Sequence, residues 1–438
     1  MANDVTDETP GSRDPERGEE ISPAYAQYVL GVLFLVYVIN FIDRQVLSVF
    51  IGPIKEEFGV SDTQMGLLVG FAFALFYTIA GIPIARWADR GSRRGIIAIG
   101  LAVWSAMTVV SGLTRNFAQL ALARIGVGVG EAAGSPPAHS LISDYFPPER
   151  RARALAIYAW GVYIGSALAY LGGGYLRANF DSRTAFFVLG APGILFALVV
   201  RFTVREPPRG YSEHSARNTE ATTFLETLRH LLSCRSWVYL VVGSCFLSLT
   251  GFGVLMWGFE FYGRVHAMPP MDIGTWMAVI VGLGGSAGAY AGGALADRFG
   301  QRNPVWYMRL PAIASLVGVP FGFGFLLSDS SQASMIFFFI FYVLSNIYVP
   351  IMHTLNQNLA QLRMRATAAA ILLFIINLVG AGAGPFVVGF LTDQYAGTYG
   401  DEAIRYSLLT LASTGVLGAL FFHLSSRSLA GDLAKLET

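Results

Sequence analysis

The chain has 438 residues, of which 54% are hydrophobic and 13% charged, with a net charge of +1 and a mean hydropathy of +0.52. A soluble protein carries about a quarter of its residues as charges, so these values exclude an ordinary soluble domain and call for lipid as the solvent. They also exclude a polyanion-binding surface: no basic run is interleaved with aromatics, and no nucleic-acid partner is expected.

Residues 1–22 hold Asp4, Asp7, Glu8, Asp14, Glu16, Glu19 and Glu20 among Gly, Pro and Ser, which reads as a disordered acidic tail rather than a signal peptide. Crossing a hydrocarbon core of roughly 30 Å takes about 20 helical residues. Apolar stretches of that order lie at 24–50, 63–86, 95–113, 117–143, 154–178 and 184–204. After a polar segment, others follow at 236–262, 271–296, 304–327, 333–361, 366–392 and 402–426. The predicted fold is all-α, with twelve membrane helices in two six-helix halves, 23–204 and 236–427. A linker at 205–235 joins them and a short tail at 428–438 follows. In the linker, Thr223 and Glu226 make a capping-box pattern, and Phe224, Leu225, Leu228, Leu231 and Leu232 give an amphipathic helix expected on the inner membrane surface.

Charge placement orients the bundle. With the N-terminus inside, 22 Lys and Arg fall in tails and inner loops, 6 in outer loops and 2 within helices. Lys and Arg resist translocation, so both termini are predicted cytoplasmic in a multi-pass cell (inner or plasma) membrane protein. A repeat marks the two halves: 85–94 reads ARWADRGSRR and 293–302 reads GALADRFGQR, offset by 208 residues. Glycines recur every fourth residue at Gly126, Gly130 and Gly134, at Gly161 and Gly165, at Gly284, Gly288 and Gly292, and at Gly380 and Gly384. That spacing lets helices approach closely, either for packing or for sliding.

The Asp-Arg-x-Gly-x-Arg loop, repeated after the second and eighth helices, resembles the signature of the major facilitator superfamily. The second copy matches well, and the first has Ala85 and Ser92 where that pattern has glycines. The resemblance implies an alternating-access carrier, not an enzyme. In it, Asp89, Arg90, Arg93, Arg94, Asp297, Arg298 and Arg302 would form conformational latches, with Asp89 set against a helix N-terminus of the other half. Asn40-Phe41-Ile42-Asp43-Arg44 with Arg124-Ile125-Gly126-Val127-Gly128-Val129-Gly130-Glu131-Ala132 is similar to bacterial spinster-like members, whose relatives export sphingolipid-type and lysolipid substrates. Organic-anion symporters of the same superfamily share similar patterns and remain a second reading; a membrane enzyme acting on lipids through Glu131 or a histidine is a third, against which the duplicated halves with matching loops speak.

Charges inside a membrane are costly and usually face a partner or a wet cavity. Asp43 and Arg124 fall at matching depth, about 10 Å inside the outer boundary by the helical rise, and are expected to pair. Glu131 lies two turns deeper, near the midplane. Glu131 and Asp43 are the candidate proton-coupling groups; Arg44, Arg124, His353 and Asn377 are candidates for binding an amphiphilic or anionic substrate. His139, Asn356 and Asn358 also face inward, and Glu260 and Arg264 stand near an outer helix end as possible gate residues. No nucleotide-binding loop is present, Cys234 and Cys245 lack metal-ligand spacing, and no cofactor is expected. The expected partners are the bilayer, protons and a small substrate, with the chain acting as a monomer. Cysteine tags in the N-tail, the 205–235 linker and the C-tail should all label from the cytoplasmic side only; an externally labelled linker would overturn the six-plus-six arrangement.

Overall fold

In the computed structural model, residues 21–208, 211 and 223–437 are described, so all but Ile21 and Ser22 of the N-terminal tail lies outside them. Ten continuous helices are long and apolar enough to cross a membrane. One of these, 365–435, is 71 residues long and turns back at Gly400, so it holds two crossings. The segment 117–145 adds a crossing that is broken in the middle. This gives twelve spanning segments among the described residues. In chain order they are α1 (Pro23–Val49), α2 (62–90), α3 (Arg93–Ser111), α4 (117–145), α5 (Pro148–Asn179), α6 (Ser182–Thr203), α7 (Arg235–Val265), α8 (Pro270–Gly300), α9 (Trp306–Leu327), α10 (Ser331–Asn358), α11 (365–399) and α12 (403–437).

The helix starts are set by local chemistry. Ser22, Ser92, Asn116 and Asp181 each accept a backbone N–H in the first turn of the helix they precede, and Ser61 with Gln64 forms a full capping box on α2. In lipid every backbone group must be satisfied within the segment, which is why helices carry the crossing. Leu122, Leu195, Ile313 and Leu316 stay exposed on the flanks. In water they would be an aggregation surface, and against acyl chains they are ordinary solvent contacts.

Within the first half α1 packs on α5 and α3 packs on both α4 and α6; within the second, α7 packs on α12, and α9 on α10 and α12. The four glycine stripes are internal to the halves. Gly126 and Gly130 face α3, Gly161 and Gly165 face α1, Gly288 and Gly292 face α10, and Gly380 and Gly384 face α7. They pack helices within each half. The halves meet along two other seams, α2 with α11 and α5 with α8.

These seams close tightly at the end bearing the 50–62 and 265–270 connections. A Cβ on Gly174 would stand 2.7 Å from the Pro270 carbonyl oxygen, and one on Gly66 would stand 2.5 Å from that of Pro385. The ion pairs and hydrogen bonds between halves that involve described residues also lie from mid-bundle toward this sealed end. The other end carries the chain termini, the linker and both copies of the repeated loop, and its halves splay apart.

The C-terminus and the linker helix add detail that the sequence expectation lacked. The helix of α12 continues to Glu437, because Asp432 accepts hydrogen bonds from the backbone N–H and hydroxyl of Ser236 and so folds the expected 428–438 tail against the start of α7. The linker helix Phe224–Ser233 begins at Thr223 as expected, but it divides its apolar face: Leu231 is buried against the second half, while Phe224, Leu225 and Leu232 remain exposed. Residues 209–210 and 212–222 of the linker lie outside the described residues.

Because the atoms facing Gly174 and Gly66 are backbone, they cannot swing aside. Gly174→Val and Gly66→Val should each pry the sealed end apart. The measurement is the rate at which a thiol reagent added from that end reaches a single cysteine placed at Ser166, which lines the central cavity. Labelling no faster than in the parent would show that the seams do not hold this end shut.

Candidate functional site

Between the halves lies a cavity of ≈ 250 Å³. The first half lines it with Phe41, Arg44, Gln45, Tyr163 and Ser166, and the second with apolar side chains that include Leu255, Val281, Phe341 and Met352. The second half adds the polar side chains of Ser248, Ser345, Asn346, His353 and Asn377 and the phenols of Tyr342 and Tyr348, and Arg44 is the cationic wall residue. Two stretches of wider helical turn, Ile280–Gly284 in α8 and Asn377–Ala383 in α11, place Val281 and Asn377 at this wall. Such insertions are common at functional sites because they re-aim side chains without ending the helix.

Arg44 joins the cavity to the buried charges. Its Nε and Nη2 donate to Glu131 Oε2 at 3.2 and 2.9 Å, while its guanidinium lies 4.8, 4.5 and 5.1 Å from the ring centres of Phe41, Phe73 and Tyr77. Glu131, 1% exposed, ends the first helical segment of α4, where the backbone turns at 132–134 before Pro136 and Pro137 open the next. A helix C-terminus disfavours an anion, so the carboxylate depends on Arg44 for compensation.

The expected pairing of Asp43 with Arg124 takes a different form. The two residues are together, but Arg124 Nη2 reaches the backbone carbonyl of Asp43 at 3.4 Å, and the Asp43 carboxylate makes no well-formed hydrogen bond among the described residues, with the side chains of Trp104 and Thr108 approaching it instead. Arg124 Nε and Nη1 and Glu131 Oε1 are unpaired as well. Buried polar atoms are nearly always satisfied, so four charged side chains sharing one hydrogen-bonded ion pair form a cluster poised between arrangements. Arg124 does not line the cavity; it stands behind Asp43. Asn356, on α10, is a helix-contact residue that accepts from Trp237 Nε1.

At the sealed end an ion network crosses the seam. Glu260 of α7 accepts from Arg177 of α5 at 2.5 Å, from the backbone N–H of Gly52 at 3.0 Å and from Arg264 at 3.2 Å. Arg264 then grips Asp62 of α2 through both terminal nitrogens at 3.0 and 2.9 Å, and Lys55 adds a third bond to Asp62 at 2.8 Å. Asp393 of α11 accepts the backbone N–H groups of Asp62 and Thr63, an anion on a helix start across the seam. Glu260 and Arg264 were expected as solvated residues at an outer helix end, and Glu260 is instead buried in this network. Lys55, Asp62, Arg177 and Asp393 were not legible, because charges at helix ends usually meet water and their sequence context marks nothing else.

The repeated loops differ from one another. Arg93 is buried and bonds Asp144, Ser140, Glu206 and the Pro207 carbonyl, and the Arg94 backbone N–H also donates to Glu206. Partial burial pushes the Glu206 carboxyl up, and the bonds from Arg93, Arg94 and Ser92 outweigh this and hold it below the usual range. Arg90 is exposed, and the side chain of Asp89 lies outside the described residues. Asp297, Arg298 and Arg302 are exposed and make no ion pair with described residues.

Two six-helix halves, sealed at one end and splayed at the other around a cavity reached by a buried ion pair, define a membrane transporter rather than an enzyme. Residues 33–385 match the model of the Major Facilitator Superfamily, and the chain belongs to that family. Its relatives place it with the spinster-like members. It is 31% identical over 421 residues to an MFS-type efflux pump of Mycolicibacterium smegmatis, covering 96% of this chain and 97% of that one. It is 26% identical to protein spinster homolog 1 of Homo sapiens, covering 95% of this chain and 83% of that protein. A bacterial homolog of the human lysosomal transporter Spinster, solved inward-facing and unoccupied, superposes with a TM-score of 0.87 at 33% identity, over 94% of this chain and 99% of that one. A D-xylose-proton symporter, at TM-score 0.72 and 19% identity over 91% of this chain and 97% of that one, shares the fold.

Breaking one partner of a buried ion pair costs about 3–5 kcal/mol in the state that holds it. Glu260→Gln should therefore shift the population toward an opened sealed end. Spin labels on the 59–61 and 397–400 turns would report this as a longer distance across that end; an unchanged distance distribution would remove the network from gating.

Proposed function

We propose that this protein is a proton-coupled secondary carrier that moves an amphiphile with an anionic head group by alternating access. The observation that carries the reading is the position of Arg44: one guanidinium touches both the buried Glu131 carboxylate and the mostly apolar inter-half cavity. An entering phosphate or carboxylate head draws Arg44 toward the cavity, since a guanidinium grips either anion in a forked geometry. Glu131, left at a helix C-terminus without its cation, then takes up a proton. Proton and substrate occupancy become linked through one side chain.

His353 and Asn377 supply polar contacts to the head, and the apolar wall of Leu255, Val281, Phe341 and Met352 receives the chain, which favours a lysolipid or sphingolipid-type molecule over a compact organic anion. Asp43 serves as the second carboxylate of the cluster, and Arg124 positions it from behind. The splayed end is cytoplasmic, in keeping with the charge asymmetry of the loops, and in the opposite state Asp297, Arg298 and Arg302 close against the first half. The name of the mycobacterial relative, an efflux pump, supports export across the cell membrane.

Glu131→Gln imitates the protonated state. It should keep counterflow of lysophosphatidate in proteoliposomes yet lose its acceleration by an imposed pH gradient. Arg44→Ala should lose both, by about tenfold or more, the scale of one charged hydrogen bond. A Glu131→Gln carrier still driven fully by the gradient would move the coupling role to Asp43.

A further inference from the structure

Glu131 is shut off from the cavity. Arg44 lies across its Oε2, and Phe41, Phe73 and Tyr77 pack around that guanidinium, so a proton leaving Glu131 needs another way out. On the opposite side stands a file of hydroxyls. Ser135 opens the second segment of α4 four residues after Glu131, and His139 follows one turn later on the same face. The Tyr37 ring of α1 stacks on the Tyr158 ring of α5, with centres 4.4 Å apart and planes at 9°, and both phenols approach the Ser135 hydroxyl. His139 stands edge-on to Tyr158 with ring centres 5.3 Å apart. The two ends of the file differ in exposure: Glu131 is buried and His139 is exposed, with Tyr158 buried and Ser135 and Tyr37 partly exposed between them.

The geometry points to a proton relay from Glu131 through the hydroxyls of Tyr37, Ser135 and Tyr158 to His139, and from there to water at the splayed end. It rests on the reading of Glu131 as the proton carrier. The Glu131 proton passes to a hydroxyl oxygen, that hydroxyl's own proton moves to the next, and the last lands on an imidazole nitrogen. His139 then gives a proton to water. Each intermediate group ends as it began, so one proton crosses with no net change in the chain. Imidazole suits the exit because one ring nitrogen can accept a proton while the other releases one. The groups facing the relay are Arg44, Arg124, Asn40 and Asp43 around Glu131, Tyr77 of α2 beside Tyr37 and Tyr158, and Tyr158 against His139. Arg93 of α3, on the adjoining helix, is already held by Asp144 and Glu206.

The proton itself is the probe, so no substrate is needed. In the full-length protein, time-resolved infrared spectroscopy after a pH jump follows a carboxylic acid band assigned to Glu131 by its loss in Glu131→Gln. In His139→Gln and Tyr158→Phe the band should respond roughly tenfold or more slowly than in the parent, with an unchanged final amplitude. Imidazole in the buffer should restore the rate in His139→Ala and leave Tyr158→Phe slow, which a purely structural role for His139 would not produce. Ser135→Ala provides a third, smaller change should Tyr158→Phe fail to fold. Parent-like rates in His139→Gln and Ser135→Ala overturn the relay. A missing Glu131 band in the parent overturns the carrier reading instead, so the two failures are told apart.

Discussion

A guanidinium and a carboxylate deep in a bilayer tolerate each other only in contact, and this constraint on Arg44 and Glu131 organises the rest of the bundle. Each charge alone is expensive in hydrocarbon, so neither leaves unless another partner arrives. The break in α4 strengthens the dependence by ending a helix at Glu131 and turning its dipole against the anion. The aromatic rings around Arg44 do the reverse, offering the cation a favourable surface while keeping water away. The pair is therefore stable as a unit and responsive to anything that competes for either member.

The sealed end uses the same physics with a different outcome. Glu260 and Asp62 each receive several donors, and Asp393 sits on a helix start, so their charges are satisfied as long as the halves touch. Parting the seam exposes these groups to water, which returns much of the lost interaction. The cost of opening is thus moderate, whereas the central cluster is buried and has only neutral polar groups, such as Asn40 and Thr108, to stand in for water.

Much of this was legible in the sequence. The twelve crossings, the two halves, the linker helix and the signature loops follow from hydropathy, a 208-residue offset and short motifs, because lipid imposes its demands residue by residue. The identity of the four membrane charges was legible for the same reason. Their pairing was not: depth along a helix can be counted, but the azimuth that sends Arg44 to Glu131 and leaves Arg124 on the Asp43 backbone depends on how α1 and α4 rotate against each other. The glycine stripes illustrate the same gap. Their spacing shows that helices approach closely, and only packing shows that the partners belong to the same half. The aromatic cage fell outside the sequence reading because Phe73 and Tyr77 look like any lipid-facing aromatics until α2 is set beside α1.

The two copies of the signature loop also show how a duplicated unit becomes unequal. In the first half Arg93 is buried in a knot with Asp144 and Glu206 that ties α3 to the end of α4 and the exit of α6. At the same 208-residue offset the second half has Gln301, which is exposed and brings no charge to such a knot. The second half is instead tied at Ser236 by Asp432 from the far end of α12, while the linker helix docks beside it through the His230 contact with the Leu359 carbonyl. The first half is thus clamped through its loop and the second through its termini. Asp297, Arg298 and Arg302 at the splayed end of the second half are exposed and make no ion pair with described residues, whereas the matching loop of the first half is held down by Arg93.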